Sequence, residues 1–147
     1  MRRFLPPHLA FLATVLMAIQ STVWPLGRLF AWPHQLVGVL PAAAGLTLLL
    51  AAWVPFKRRR LNLIPFNKPD ALLAAGLYAW SRNPMYLGFL VMLLGFALLF
   101  NDFGCLAIVA VVFVITDRWY VRVEEKAAAA AFGQAYDDYR CRVRRWI

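Results

Sequence analysis

The chain has 147 residues, of which 63% are hydrophobic, and its mean hydropathy is +0.62. That excludes an ordinary soluble domain, which needs far more polar surface. The formal net charge of +9 does not point to nucleic acid, because the basic residues sit at the ends of apolar runs, where membrane proteins place them to set topology.

The sequence predicts an all-α membrane protein with about four transmembrane helices, an interfacial loop and an amphipathic C-terminal helix. It reads as a single integral membrane domain over 1–147, with an N-terminal helical hairpin over 1–60 and a second part over 61–147. Met1-Arg2-Arg3 and the following apolar run resemble a signal peptide. No small-residue cleavage site precedes Trp24-Pro25, so the run is read as a retained span. The first span is Leu5 to Val23, and the second is Trp32 to Phe56 with a kink at Pro41. After Lys57-Arg58-Arg59-Arg60 comes a segment, Leu61 to Ser81, with turn signals at Pro65 and Pro69. Its apolar stretch Ala71 to Tyr78 is too short to cross and lies at the interface.

The third span, Pro84 to Phe100, and the fourth, Phe103 to about Trp119, are separated only by Asn101-Asp102. At ~1.5 Å per residue the third is about 25 Å long, short for a ~30 Å hydrocarbon core. Trp80, Tyr86, Trp119 and Tyr120 supply the interfacial aromatics that short spans use. Beyond them, Ala128, Phe132, Tyr136, Tyr139, Val143 and Trp146 recur at steps of three and four. They form one stripe on a helix from Glu124 to Trp146 that lies on the membrane or folds back over the bundle, with a bend at Gly133.

With four spans, fifteen of the sixteen lysines and arginines fall on one side and only Arg28 on the other. The positive-inside rule then places both termini and the central loop in the cytoplasm. Cys105 and Cys141 fall on opposite sides, with no CxxC pair and no zinc spacing. His8 and His34 are read as interfacial, and no metal site is expected.

Two stretches carry the chemistry. Asn83-Pro84 is a helix start, with Asn favoured as N-cap and Pro preorganised for the first helical position. It leaves backbone N–H groups pointing at the interface, a ready anion site. Descending about 21 residues from Phe103 covers roughly 32 Å, against about 26 Å for the climb from Asn83 to Phe100. Glu124-Glu125 therefore returns to the depth of Arg82-Asn83. Backbone donors, Arg82, two carboxylates and the faces of Tyr78, Trp80 and Tyr86 suit a zwitterion with an extra cationic centre. S-adenosylmethionine has those parts, although the chemistry alone does not single it out. Each residue also has a structural alternative: Arg82 as a topology determinant, the aromatics as a belt, the glutamates as partners of a helix dipole.

The ordered set resembles the isoprenylcysteine carboxyl methyltransferases and their bacterial relatives, small integral membrane enzymes. The matching pieces are Leu72-Leu73, Gly76-Leu77-Tyr78, Arg82-Asn83-Pro84-Met85-Tyr86-Leu87-Gly88, Glu124-Glu125 and Phe132-Gly133-Gln134-Ala135-Tyr136-Asp137-Asp138-Tyr139. Asn62-Leu63-Ile64-Pro65-Phe66 looks like that family's loop. The resemblance implies an S-adenosylmethionine-dependent O-methylation of a lipophilic carboxylate that enters from the bilayer, within a bacterial inner membrane. Residues 61–147 would then be the methyltransferase core. By the same resemblance Leu72, Leu73, Gly76, Tyr78, Arg82, Asn83, Pro84, Met85, Tyr86, Gly88, Glu124 and Glu125 form the cofactor site. Arg122 matches an arginine acting near the substrate carboxylate and is the expected catalytic residue. Asn83 stands where the eukaryotic members often have His, so no His base is implied. Membrane lipids are expected partners; nucleic acid and an obligate protein partner are not. The alternatives are phospholipid amine methylation, a steroid-reductase-like oxidoreductase using NADPH, and a non-catalytic lipid-binding protein.

Overall fold

A computed structural model describes residues 6–61 and 69–147. The loop motif Asn62 to Phe66, Lys68 and the N-terminal arginines Arg2 and Arg3 lie outside the described residues. Among the described residues the secondary structure is helical, and the sole strand-like pairing is an isolated bridge between Arg28 and Asp102.

Helix α1, Pro6–Val23, stops where Trp24 precedes Pro25, because a residue before proline is pushed out of helical geometry. A 3₁₀ turn, His34–Gly38, leads directly into α2, Val39–Arg59. The expected kink at Pro41 is not where the geometry changes. That change falls at the Gly38–Val39 junction, and Pro41 sits in the first turn of α2, where a missing N–H costs least. Lys57, Arg58 and Arg59 occupy the last turn of α2, favourably against its dipole, and Arg60 closes it in the left-handed region with φ 53°.

Helix α3, Pro84–Phe100, has the bounds expected from sequence, and Asn101 ends it at φ 58°. Asp102 then caps α4, Phe103–Ile115, by accepting from the Gly104 N–H at 2.8 Å. The fourth span does not stop near Trp119. It passes through a π-helical stretch, Thr116–Val121, into α5, Arg122–Phe132, with no break. The whole helix covers 30 residues, or about 45 Å, against a hydrocarbon core of ~30 Å. Its last turns, Glu124 and Glu125 included, therefore stand beyond the spanning part. The expected single tail helix is corrected likewise. Gly133, at φ 51°, ends α5, α6 runs Gln134–Arg142, and Val143 onward leaves helical geometry and returns along the bundle.

Helices α1, α2 and the α4–α5 rod are long and apolar enough to cross a membrane, and α3 is a shorter apolar helix of 17 residues. The protein is an integral membrane protein, and its outer faces show it: Phe11, Leu12 and Ile19 of α1 and Val111 and Val114 of α4 are exposed. Helix α3 lies at the centre, with Leu93 and Ala97 fully buried among Met17, Cys105 and Val112.

Helices α2 and α3 meet backbone to backbone. A Cβ placed on Gly88 would lie 2.5 Å from the Leu49 nitrogen and 2.7 Å from the Gly45 carbonyl oxygen. Gly45 and Gly95 face the Met92 and Ala42 backbones just as closely. In a membrane, where lipid tails are as apolar as leucine, such small-residue seams are what hold helices together.

The end of the bundle remote from the glutamates is closed by one carboxylate. Asp102, 3% exposed, accepts from Gln20 Nε2 (2.7 Å), the Leu26 N–H (2.9 Å) and the Gly27 N–H (3.1 Å) as well as Gly104. Asn101 fixes Phe30 in the same loop through both its amide atoms.

Candidate functional site

The helix start at Asn83-Pro84 and the paired glutamates do meet. Tyr86, in the first turn of α3, donates its hydroxyl to Glu124 Oε1 at 2.6 Å. Arg82, just before α3, donates Nη2 to Glu125 Oε1 at 2.8 Å. Two motifs some forty residues apart are thus joined at one depth, because the Asn101-Asp102 turn makes α3 and α4 antiparallel neighbours and α5 extends the descent.

A third segment, which sequence reasoning missed, closes the arrangement. The Arg82 N–H donates to the Arg144 carbonyl (3.0 Å), Asn83 Nδ2 to the Arg145 carbonyl (3.0 Å) and Ser81 Oγ to the same oxygen (3.4 Å). Arg145 spans both carboxylates of α5 and the π turn, reaching Glu125 Oε2 at 2.5 Å and Asp117 Oδ1 at 3.2 Å. Trp146 Nε1 also donates to Asp117 Oδ1, at 3.0 Å, and its ring centroid lies 5.4 Å from that of Phe113. In the sequence Trp146 belongs to the apolar stripe of the tail and Arg145 to the basic residues that set topology, while Asp117 is not singled out. Only the return of the chain after Val143 gives them partners.

The expectation that the Asn83 side chain caps α3 is corrected. Its backbone carbonyl accepts the first helical bond, from the Leu87 N–H at 3.0 Å, while its amide is committed to Arg145. Among the described residues no side chain caps the first turn of α3, so the backbone donors there stay available to an anion.

The loop residues divide. Leu73, Tyr78 and Met85 pack together against Ala52 of α2, and Tyr78 donates to the Ala52 carbonyl at 3.3 Å. Leu72 packs instead on the Tyr136, Tyr139 and Val143 cluster of α6. Tyr139 ties the two groups by donating to the Tyr78 carbonyl at 2.6 Å. Gly76 takes φ 63° in the turn, with nothing within 4 Å of a Cβ placed there. Gly88 lies in the α2–α3 seam, which accounts for glycine at that position, and Pro84 is fully buried at the start of α3. Arg122 opens α5 as an exposed residue and takes no part in the network. Trp80 is 83% exposed, as a belt residue would be.

The two glutamates meet opposite electrostatics. Glu125 is neutralised by Arg82 and Arg145. Glu124 has no basic partner among the described residues. It keeps some exposed surface, but its carboxyl group is enclosed beside Tyr86, whose ring lies 6.3 Å from that of Tyr120. Burial pushes this carboxyl up to about 7, and the Tyr86 hydrogen bond offsets only part of the rise. Nearby, Arg82 Nε is buried with no hydrogen-bond partner among the described residues. An enclosed, uncompensated carboxylate among aromatic faces suits a cation, and an orphan guanidinium N–H suits a carboxylate. The residues present therefore fit a zwitterion that carries an additional positive centre.

The chain also resembles known proteins. A family model described as phospholipid methyltransferase matches residues 33–135. The chain is 31% identical over 77 residues to a protein-S-isoprenylcysteine O-methyltransferase of Schizosaccharomyces pombe, covering 52% of this chain and 33% of that protein. It is 38% identical over 76 residues to the protein of the same name in Saccharomyces cerevisiae, covering 49% of this chain and 30% of that one. The chain spans about a third of the length of these curated relatives. No solved structure matches. With the family model covering well over half of its length, the chain belongs to the phospholipid methyltransferase family.

Proposed function

We propose that the protein is a membrane methyltransferase that uses S-adenosylmethionine to methylate a lipophilic acceptor, an O-methylation of a carboxylate at the cytoplasmic interface. The observation that carries this reading is the pair of bonds from Tyr86 to Glu124 and from Arg82 to Glu125. They line one site with an uncompensated carboxylate, an orphan guanidinium N–H and three tyrosines. The cofactor would supply an electrophilic methyl group on a positive sulfur. Glu124 would face its positive charge, Tyr78, Tyr86 and Tyr120 would wall it, and Arg82 Nε with the uncapped turn of α3 would hold its carboxylate.

A carboxylate acceptor is ionised already, so the residues need only orient it and exclude water, and orientation alone accounts for large rate factors. Arg122, exposed at the start of α5, is free to meet an anionic acceptor arriving at the interface. Lateral entry is supported by an apolar furrow of about 310 Å³ between α1 and α4, which runs from Leu16 and Ala107 to Leu9 and Ile115. Leu9 also packs on the Tyr86, Tyr120 and Val121 cluster beside Glu124. The cytoplasmic placement rests on the basic residues gathered at this end of the bundle.

A second reading has a specific observation in its favour. An amine acceptor must lose a proton before it attacks, and the raised Glu124 carboxyl could take it. Membranes containing the protein, incubated with methyl-labelled S-adenosylmethionine and extracted into lipid fractions, separate the two. Alkali-labile label marks an ester and alkali-stable label an amine. The expected result is labile label, lost in Glu124→Ala. Preferential binding of NADPH by the purified protein would overturn both readings.

A further inference from the structure

Glu124 and Glu125 are adjacent in sequence, yet one is held between two guanidinium groups and the other has a phenol for its partner. We infer that Glu124 alone holds the positive sulfur of the methyl donor, and that the site trades this charge for a proton, so that it favours the donor over the demethylated product. This deepens the methyl-donor reading and rests on it.

Among the described residues, the groups facing Glu124 leave it as the one that can titrate. Tyr86 comes from α3, Tyr120 from the π turn and Tyr78 from the loop. All three are buried phenols that stay neutral at physiological pH. Glu125, on the same helix, has its charge matched by Arg82 and Arg145. Helix α1 packs Leu9 on the same cluster, and its nearest titratable residue in sequence is the exposed His8. A lone enclosed carboxyl takes up a proton near neutral pH when no cation is present and releases it when one arrives.

The charge bookkeeping of the reaction then matters. In the transfer, a lone pair of the accepting oxygen forms the bond to the methyl carbon. The electron pair of the broken carbon–sulfur bond stays on sulfur, which becomes neutral. The acceptor loses its negative charge at the same time, and Glu124 is left ionised with no cation opposite it. It takes a proton from water, and the neutral sulfur compound keeps no ionic hold on the site.

The test is titration calorimetry of the purified full-length protein with S-adenosylmethionine and, separately, S-adenosylhomocysteine. Each is measured at pH 8 and pH 6, and at pH 7 in two buffers of different ionisation enthalpy. One group titrating near 7 predicts that donor affinity falls about tenfold from pH 8 to pH 6. Product affinity should change less than about twofold, and donor binding at pH 7 should release about half a proton. Glu124→Gln should abolish both the pH dependence and the proton release. Should that variant fail to fold, the proton count of the parent decides. Donor binding with no proton release overturns the inference and leaves the methyl-donor reading standing. Failure of both compounds to bind at either pH overturns the two together.

Discussion

Replacing Gly88 by alanine sets two well-characterised effects against each other. On helix propensity alone, alanine in place of glycine stabilises a helix interior by about 1 kcal/mol. At Gly88, however, the new Cβ would sit 2.5 Å from the Leu49 nitrogen and 3.0 Å from its Cα. Both atoms are backbone, so no rotamer change relieves the clash. Helix α3 must move away from α2 by about 0.9 Å, and a gap of that size forfeits a quarter to a half of the dispersion energy of the atoms along the seam. Overpacking typically costs about 1–3 kcal/mol, and the rigid backbone here points to the upper end. The net expectation is a loss of about 1–2 kcal/mol, seen as a lower melting temperature in detergent. Tyr86 stands two residues away on the same helix. A shift of this size lengthens its 2.6 Å bond to Glu124 to the edge of hydrogen bonding, so donor affinity should drop by up to about tenfold. Gly95→Ala, at the other end of α3, is the comparison: it should lower the melting temperature similarly and spare donor affinity. A Gly88→Ala protein that melts at or above the parent temperature would refute the close-packed seam.

Further outcomes follow from the same contacts. Arg145→Ala removes the bridge between Glu125 and Asp117 and should cost about 1–3 kcal/mol, with faster proteolysis after Arg142 as the readout. Tyr139→Phe deletes a buried donor to the Tyr78 carbonyl. A loss of about 1 kcal/mol and faster amide exchange across residues 76–80 are expected. At the other end of the bundle, burial raises the Asp102 carboxyl, but bonds from Gln20, Gly104, Gly27 and Leu26 outweigh that and hold it below 3.8. Its contribution to stability is complete above that value and fades as pH falls through the lower folded value. Acid melting should therefore shift in Asp102→Asn, while donor binding at neutral pH should not. Finally, Arg122→Ala should raise the KM for the acceptor and leave the donor dissociation constant unchanged; equal loss of both would remove Arg122 from the acceptor side.

Local rules were enough wherever one residue settles an element. Asn83-Pro84 and Asn101-Asp102 bracket α3 with the bounds it has, and rise per residue alone predicts that Glu124 and Glu125 come back to the level of Arg82. The apolar stripe of the tail gave the correct buried face for Tyr136, Tyr139 and Val143. What escaped was set by distant contacts. Thr116–Val121 carries no local signature for a π turn, so the span seemed to end near Trp119. The amide of Asn83 looks like a cap until the Arg145 carbonyl arrives beside it. Gly88 belongs to a motif rich in site residues, and only the approach of Leu49 identifies it as a packing position. Arg145 counts in the sequence only as one more basic residue and Trp146 only as the end of the apolar stripe, because their polar partners are reached by a chain that has already left its helix.

The unbroken rod from Phe103 to Phe132 gives the protein a ruler. The aspartate that caps this rod and anchors the loop after α1, and the glutamate proposed to seat the donor, lie about 33 Å apart along its axis. That distance barely exceeds the thickness of a typical hydrocarbon core. A thicker bilayer must pull one of these carboxylates toward oil or thin locally around the rod, and a thinner one lifts Glu124 further into water or tilts the rod. Lipid chain length thereby becomes a control on the working end of this protein that acts without any ligand or change of residue.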